Sequence, residues 1–269
     1  MHDIIHAILL GIVEGFTEFL PVSSTAHLLV SEKLLALSGD RWEAFTIIIQ
    51  LGAILSVVAV YWRKIWDVIV GLPSDAGARY FAGGVLVAFL PAAFLGATLI
   101  KFINDYLLDP SIAMPVIATS WIVGGIIILV FERIAPRPRH TDADHLPLMK
   151  CLQIGLCQCL ALLPGVSRSG ATILGGELLG VERKAATEFT FYLAVPTMLG
   201  AAVFELYKKW DLLSAADEAI IAVGFVVSFL VALVIVKSLI GFVGRYGLRP
   251  FGWYRIAIGL ALIGFMLWG

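Results

Sequence analysis

Five stretches of this chain, 44–62, 80–100, 110–131, 219–236 and 256–269, contain no charged residue at all. The longer ones reach the roughly 20 apolar residues that cross a bilayer. Lipid is therefore the solvent in which the chain folds. Charged residues make up 14% of the sequence, against about 25% in a soluble domain. A soluble all-helical core is the competing reading, and the charge-free lengths weigh against it. The net charge of −1 offers no basic surface for a nucleic acid, and none is expected as partner. No cleavable signal peptide is expected, because Asp3 replaces a basic cluster and Glu14 and Glu18 interrupt the apolar run. Cys151, Cys157 and Cys159 match no zinc spacing and read as small apolar residues.

Two short polar loops interrupt the apolar chain. The first is Pro21-Val22-Ser23-Ser24-Thr25-Ala26-His27, the second Pro164-Gly165-Val166-Ser167-Arg168-Ser169-Gly170-Ala171-Thr172. Each opens on a helix-stopping proline and leads into a further apolar stretch. Helices are expected over 3–19 and 24–37 on either side of the first loop. Full spans are then expected over 43–66, 79–101 and 111–132. Residues 134–147, rich in Pro, Arg and Asp, read as an aqueous linker. The plan repeats as helices 148–163 and 170–181 around the second loop, then spans 185–207, 218–242 and 250–268. The fold class expected is an all-α integral membrane protein of six transmembrane helices plus two re-entrant helical hairpins. Its two repeats, 1–133 with hairpin 3–37 and 148–269 with hairpin 148–181, form one membrane domain. Three spans per half invert the second repeat relative to the first, the plan in which interrupted helices mark the binding site.

Charge sets the orientation. The side of the N-terminus carries Lys33, Arg41, Lys101, Lys208 and Lys209. The opposite side carries Arg63, Lys64, Arg79, Arg133, Arg137, Arg139, Lys150, Arg183, Lys184, Lys237, Arg245 and Arg249. The positive-inside rule makes that second side cytoplasmic and leaves both termini outside. The hairpins then enter from opposite faces. If neither crosses, their tips meet near the midplane, where irregular backbone is tolerated only when buried in protein or lining a wet cavity.

Polar residues at that depth are expensive, and so point to function. Glu14 and Glu18 share a helix face; they suit a divalent ion or a base, or simply form a wet face. Ser24 needs a neighbouring base to act as a nucleophile, which His27 or a glutamate could supply; Ser23 or Ser24 could equally do no more than cap a helix. Arg168 presents fork-shaped donors matched to phosphate oxygens, or else pairs with Glu14 or Glu18. Gly165 and Gly170 allow close backbone approach, and a helix starting at the second loop would aim its positive end at an anion. Together these are the parts for hydrolysing a phosphate ester or anhydride. No Gly-Lys-Ser/Thr tripeptide is present, which argues against ATP as fuel. Tyr254-Arg255, at the start of the last span, could line the cavity or meet a headgroup.

Glu14-Gly15-Phe16-Thr17-Glu18-Phe19-Leu20-Pro21-Val22-Ser23-Ser24-Thr25-Ala26-His27 resembles the first signature of the bacterial undecaprenyl-diphosphate phosphatases, the bacitracin-resistance family, and 164–172 resembles the second. Stretches 49–55 and 188–196 are also similar. Ala26 departs from the family, which usually has glycine there. The resemblance implies hydrolysis of undecaprenyl diphosphate to undecaprenyl phosphate and inorganic phosphate, recycling the lipid carrier of peptidoglycan synthesis and conferring resistance to bacitracin. It implies an inner-membrane, multi-pass protein with its site open to the outside. A divalent cation, Mg2+ or Ca2+, is implied on Glu14 and Glu18. Ser24 is implied as nucleophile, His27 as essential partner and Arg168 as phosphate clamp, with Ser167, Ser169 and Thr172 as supporting ligands. Ser23, Thr25, Gly170 and Gln50 complete the expected substrate contacts. The expected partners are the isoprenoid lipid diphosphate and the bilayer; monomer and homodimer both stay open. A water nucleophile is the alternative to Ser24. A polyprenyl-phosphate flippase or an anion transporter is the alternative function, although a transporter leaves Glu14, Glu18, Ser24 and His27 poorly explained.

Overall fold

The computed structural model describes residues 2–109, 111–209 and 218–268; the side chains of Asp40, Ile100, Asn104, Glu205, Leu206, Lys208 and Lys209 lie outside the described set. Two of the charges counted above, Lys208 and Lys209, therefore fall outside it as side chains. The described chain is helical throughout: α1 (His2–Thr17), α2 (Ser24–Leu34), α3 (Asp40–Val60), α4 (Trp62–Gly71), α5 (Ala76–Tyr106), α6 (Ala113–Ile134), α7 (Leu148–Gln158), α8 (Arg168–Leu178), α9 (Arg183–Lys209), α10 (Glu218–Tyr246) and α11 (Arg249–Trp268). A 3-10 turn over Cys159–Leu162 extends α7. Among the described residues, six helices are long and apolar enough to cross a membrane: α3, α5, α6, α9, α10 and α11. Five of them match the expected spans and the first is shorter than expected; the chain is a multi-pass membrane protein.

One span ends earlier than expected. The reading of 43–66 as a single helix is corrected by a break at Tyr61, after which 62–71 form the separate helix α4. The cause is the polar set Arg63, Lys64 and Asp67, which cannot continue into lipid. On α4 these residues lie toward one side, while Trp62, Trp66 and Ile69 are exposed on another. Such an amphipathic helix suits the plane of the interface.

The first short helix of each half packs on a span from the other half of the sequence: α1 on α10 and α7 on α5. Small residues bring the backbones together. A Cβ on Gly15 would stand 2.5 Å from the Ser228 carbonyl oxygen, and one on Gly155 would stand 2.2 Å from that of Ala88. The apolar core runs through both halves, with Phe19 and Ile54 beside Ile173, Phe191 and Leu193. The linker is more than an aqueous tether. The Arg139 and His140 N–H groups donate to the Gly180 carbonyl, and Ala143 and Leu146 are buried in the core. At the same end Arg183 joins Glu177 and Glu132, and Glu132 also accepts from the Leu248 N–H. This ties α6, α8, α9 and the start of α11 into one fixed end.

Candidate active site

Both polar loops are largely buried, with Thr25 exposed. Burying irregular backbone requires that every polar group find a partner, and the partners found here bind the loops to each other. The hydroxyls of Ser169 and Ser167 both donate to the Leu20 carbonyl, at 2.8 and 3.3 Å. Ser167 is also the N-cap of α8, accepting from the Gly170 N–H at 3.1 Å, a role its short oxygen-bearing side chain suits. Gly170 sits close to the first loop, where a Cβ would lie 3.2 Å from Ser167 Cβ and 3.3 Å from Pro21 Cβ. On the first loop, Ser23 precedes α2 with φ at 73°, a region sparsely populated by residues with a side chain. Strain of this kind costs on the order of 1–3 kcal/mol and gathers at functional sites.

At the junction of the loops, the Ser24 hydroxyl donates to Glu18 Oε2, and Arg168 Nη2 donates to Glu18 Oε1 at 3.2 Å. Glu18 thus joins the first residue of α2 to the first residue of α8. Glu14 lies one turn before Glu18 and is fully buried, with both carboxylate oxygens unpartnered. Arg168 Nε and Nη1 are buried and unpartnered as well. Two acceptor oxygens and two donor nitrogens are therefore buried without partners beside the Ser24–Glu18–Arg168 junction. An isolated buried carboxylate is costly, which marks Glu14 as a residue the fold alone does not explain.

His27 is held elsewhere. Its Nδ1 lies 2.7 Å from the Ser23 carbonyl oxygen. A carbonyl only accepts, so Nδ1 carries a proton. Nε2 of the neutral ring then accepts from the Tyr254 hydroxyl at 2.8 Å. The ring is stacked against Tyr254, with planes 9° apart, and tilted against Trp121. Neither nitrogen bonds the Ser24 hydroxyl; that contact belongs to Glu18.

The remaining candidates fall into two groups. Thr172 is inside the cluster, but its hydroxyl bonds the Arg168 and Ser169 carbonyls and accepts from Thr190 at 2.8 Å. Thr25 is exposed on α2 and Gln50 is half-buried on α3; both stand outside the hydrogen-bonded cluster. Three residues join it from other helices. Tyr254 orients His27, Arg255 bonds the Pro21 and Gly165 carbonyls, and Trp121 Nε1 donates to the Val22 carbonyl at 2.9 Å. Arg255 breaks an otherwise apolar span, a signal the sequence displays. Trp121 carries none, being one tryptophan in an apolar helix.

A multi-pass helical membrane protein whose buried polar cluster unites two carboxylates, a hydroxyl, an imidazole and a guanidinium is built to handle an anionic group at a lipid boundary. The sequence model of the bacitracin resistance protein BacA family matches residues 7–261, and the chain belongs to that family. It is 49% identical over 267 residues to an undecaprenyl-diphosphatase of Rhodopseudomonas palustris (strain TIE-1), covering 98% of each chain. It is 50% identical over 255 residues to undecaprenyl-diphosphatase 2 of Paramagnetospirillum magneticum, covering 95% of this chain and 96% of that one. With undecaprenyl-diphosphatase 1 of Mesorhizobium japonicum it shares 46% identity over 267 residues.

Proposed function

We propose that this chain is an undecaprenyl-diphosphatase, releasing the terminal phosphate of the lipid diphosphate and so returning the carrier to peptidoglycan synthesis. The observation that carries this reading at the level of the site is the Ser24–Glu18–Arg168 junction beside the open Glu14 carboxylate. Ser24 is the nucleophile and Glu18 takes its proton, because the serine hydroxyl already donates to that carboxylate. His27, held between Ser23 and Tyr254, fixes the first turn of α2 so that Ser24 keeps its direction. Arg168 holds the terminal phosphate through its open Nε and Nη1, and the positive end of α8 lies behind it. The Ser24 oxygen bonds to phosphorus as the bond to the bridging oxygen breaks, and undecaprenyl phosphate departs. Glu18 passes the serine proton to the departing undecaprenyl phosphate and is again a carboxylate. Water then attacks the phosphoserine, Glu18 takes the water's proton, the phosphorus–Oγ bond breaks, and Ser24 recovers that proton as inorganic phosphate leaves.

Two carboxylates on one helix turn, one with both oxygens free, fit a divalent cation that keeps substrate oxygens and waters as its other ligands. Among the described residues no group of three or more His, Cys, Asp or Glu side chains forms a self-sufficient metal site. Glu14 and Glu18 would hold the cation, which when bound offsets the charge of the diphosphate. The expected result is phosphate release from undecaprenyl diphosphate by the purified protein in detergent, abolished by EDTA and restored by Mg2+ or Ca2+. Release that needs a sealed vesicle, or none at all, overturns the hydrolase reading in favour of transport. Release unaffected by EDTA removes the cation alone.

The same proposal places 1–133 and 148–269 as inverted repeats with re-entrant hairpins, the site opening outward. Helices α2 and α8 start at Ser24 and Arg168, each preceded by a serine at its N-cap position and each eleven residues long. Eleven residues rise about 16 Å, about half of a ~30 Å hydrocarbon core. The packing is reciprocal: α1 on α10 answers α7 on α5, and α3 on α10 answers α5 on α9. Cysteines introduced singly at Lys33 and Arg245 test the orientation with a membrane-impermeant thiol reagent on intact cells. Labelling at Lys33 but not at Arg245 is expected; the opposite pattern turns the protein over.

A further inference from the structure

Arg255 lies on α11, away in sequence from both loops, and only 2% of it is exposed. Its guanidinium is spent on backbone carbonyls. Nη1 donates to Pro21 at 3.2 Å, Nη2 to Gly165 at 3.0 Å and to Ser120 at 2.9 Å, and Nε to Trp121 at 3.4 Å. Pro21 opens the first loop and Gly165 follows the proline that opens the second. One planar cation therefore holds one carbonyl from each loop and anchors both to α6. The helix beneath is cut to fit it, since a Cβ on Gly124 would come within 2.3 Å of Arg255 Nη2. Gly165 holds φ at 82°, a conformation that favours glycine, and so keeps its carbonyl in the second loop's tight turn. Arg255 touches none of Ser24, Glu18 or Arg168 by hydrogen bond.

We infer that Arg255 is a positioning residue that sets the register between the two loops, and with it the Ser24–Glu18–Arg168 alignment. The inference rests on the hydrolase reading for its kinetic consequence but not for its geometric one. Burying an arginine at this depth is expensive, and the expense is met by four carbonyls that only a rigid multi-donor fork can reach together. Lysine has a single ammonium and cannot span them. The alignment matters because Glu18 and Arg168 belong to different loops. A shift of an ångström between catalytic partners is enough to cost about a hundredfold in rate.

The test uses the purified full chain with Arg255→Ala, Arg255→Lys and Gly124→Ala, each compared per mole of folded protein by size-exclusion profile. Arg255→Ala is expected to lower kcat at least tenfold with KM for the lipid diphosphate changed less than threefold. Millimolar guanidinium is expected to recover kcat in Arg255→Ala, but not in Arg255→Lys, where the side chain fills the space. Gly124→Ala is expected to reproduce the kcat loss with Arg255 still present. A second measurement does not depend on turnover. Spin labels at Phe16 and Leu163, in a background without native cysteines, report the distance between the loops. That distribution is expected to broaden in Arg255→Ala and sharpen again with guanidinium. Wild-type kcat per folded Arg255→Ala molecule, with an unchanged distance distribution, overturns the inference. A wild-type protein that releases no phosphate defeats the hydrolase reading instead, and the label distances still decide the role of Arg255.

Discussion

Glu18→Gln is expected to reduce kcat by about a hundredfold to ten-thousandfold, the range lost with a positioned proton acceptor, while membrane insertion and the folded yield stay at wild-type levels. The substitution is nearly isosteric, so packing is preserved, but the chemistry is not. Glu18 accepts from Ser24 through one oxygen and from Arg168 through the other. An amide can present an acceptor to only one of them. Toward Arg168 an amide NH2 faces another donor; toward Ser24 it offers a proton to the group that must lose one. Ser24→Ala leaves the Glu18–Arg168 pair intact and separates two mechanisms. If serine is the nucleophile, Ser24→Ala falls as far as Glu18→Gln and wild-type enzyme yields a trapped phosphoserine at 24. If water attacks instead, Ser24→Ala keeps a substantial fraction of turnover. Phosphate release by Glu18→Gln at a wild-type rate would falsify the pocket assignment outright.

The spans were legible in the sequence because lipid permits few solutions. An uncharged run of about 20 residues has to be a helix, and five of the six spans lie on the charge-free stretches; the sixth, α9, carries Glu188 and reads as a span by its length and apolar character. The boundary at Tyr61 was harder to read, because hydropathy continues through Trp62, Ile65 and Trp66. What stops the span is the alternation of Arg63, Lys64 and Asp67 with those apolar residues, a helical periodicity instead of a uniform run. In the site, Glu14, Glu18, Ser24 and Arg168 stood out because each is costly at depth. What the sequence could not display was how the roles divide. The family resemblance implies Ser167 and Ser169 as supporting phosphate ligands; in the structure their hydroxyls reach across to the Leu20 carbonyl and join the loops. His27 looks like the base for Ser24, yet its ring is turned to Tyr254 and the Ser23 carbonyl. Such assignments depend on contacts across more than a hundred residues of chain, on which local spacing is silent. The same holds for Arg255, whose charge is visible in the last span while its partners are main-chain atoms with no signature of their own.

Arg168→Ala is expected to cost about 10²–10³ in kcat/KM, the loss typical of removing one preorganised donor from a developing anion, and Arg168→Lys is expected to recover less than tenfold of it. The reason lies in which donors are free. Nη2 is occupied by Glu18, whereas Nε and Nη1 are buried and open, so the phosphate receives two N–H groups from a plane that the Glu18 contact already orients. A lysine ammonium reaching the same place is a point charge; it could pair with Glu18 or with the phosphate but would not hold one against the other. The substitution also changes the electrostatics of the carboxylates. Without the guanidinium, Glu14 and Glu18 share a buried site with less positive charge nearby, and their attraction for a divalent cation rises. The cation concentration giving half-maximal activity is therefore expected to fall in Arg168→Ala even as turnover collapses. The opposite shift, a rising cation requirement, would mean that Arg168 helps to seat the cation instead of the phosphate. Titrating Mg2+ against both variants at saturating lipid distinguishes the two. The sign of the change, more than the size of the rate loss, identifies what Arg168 holds.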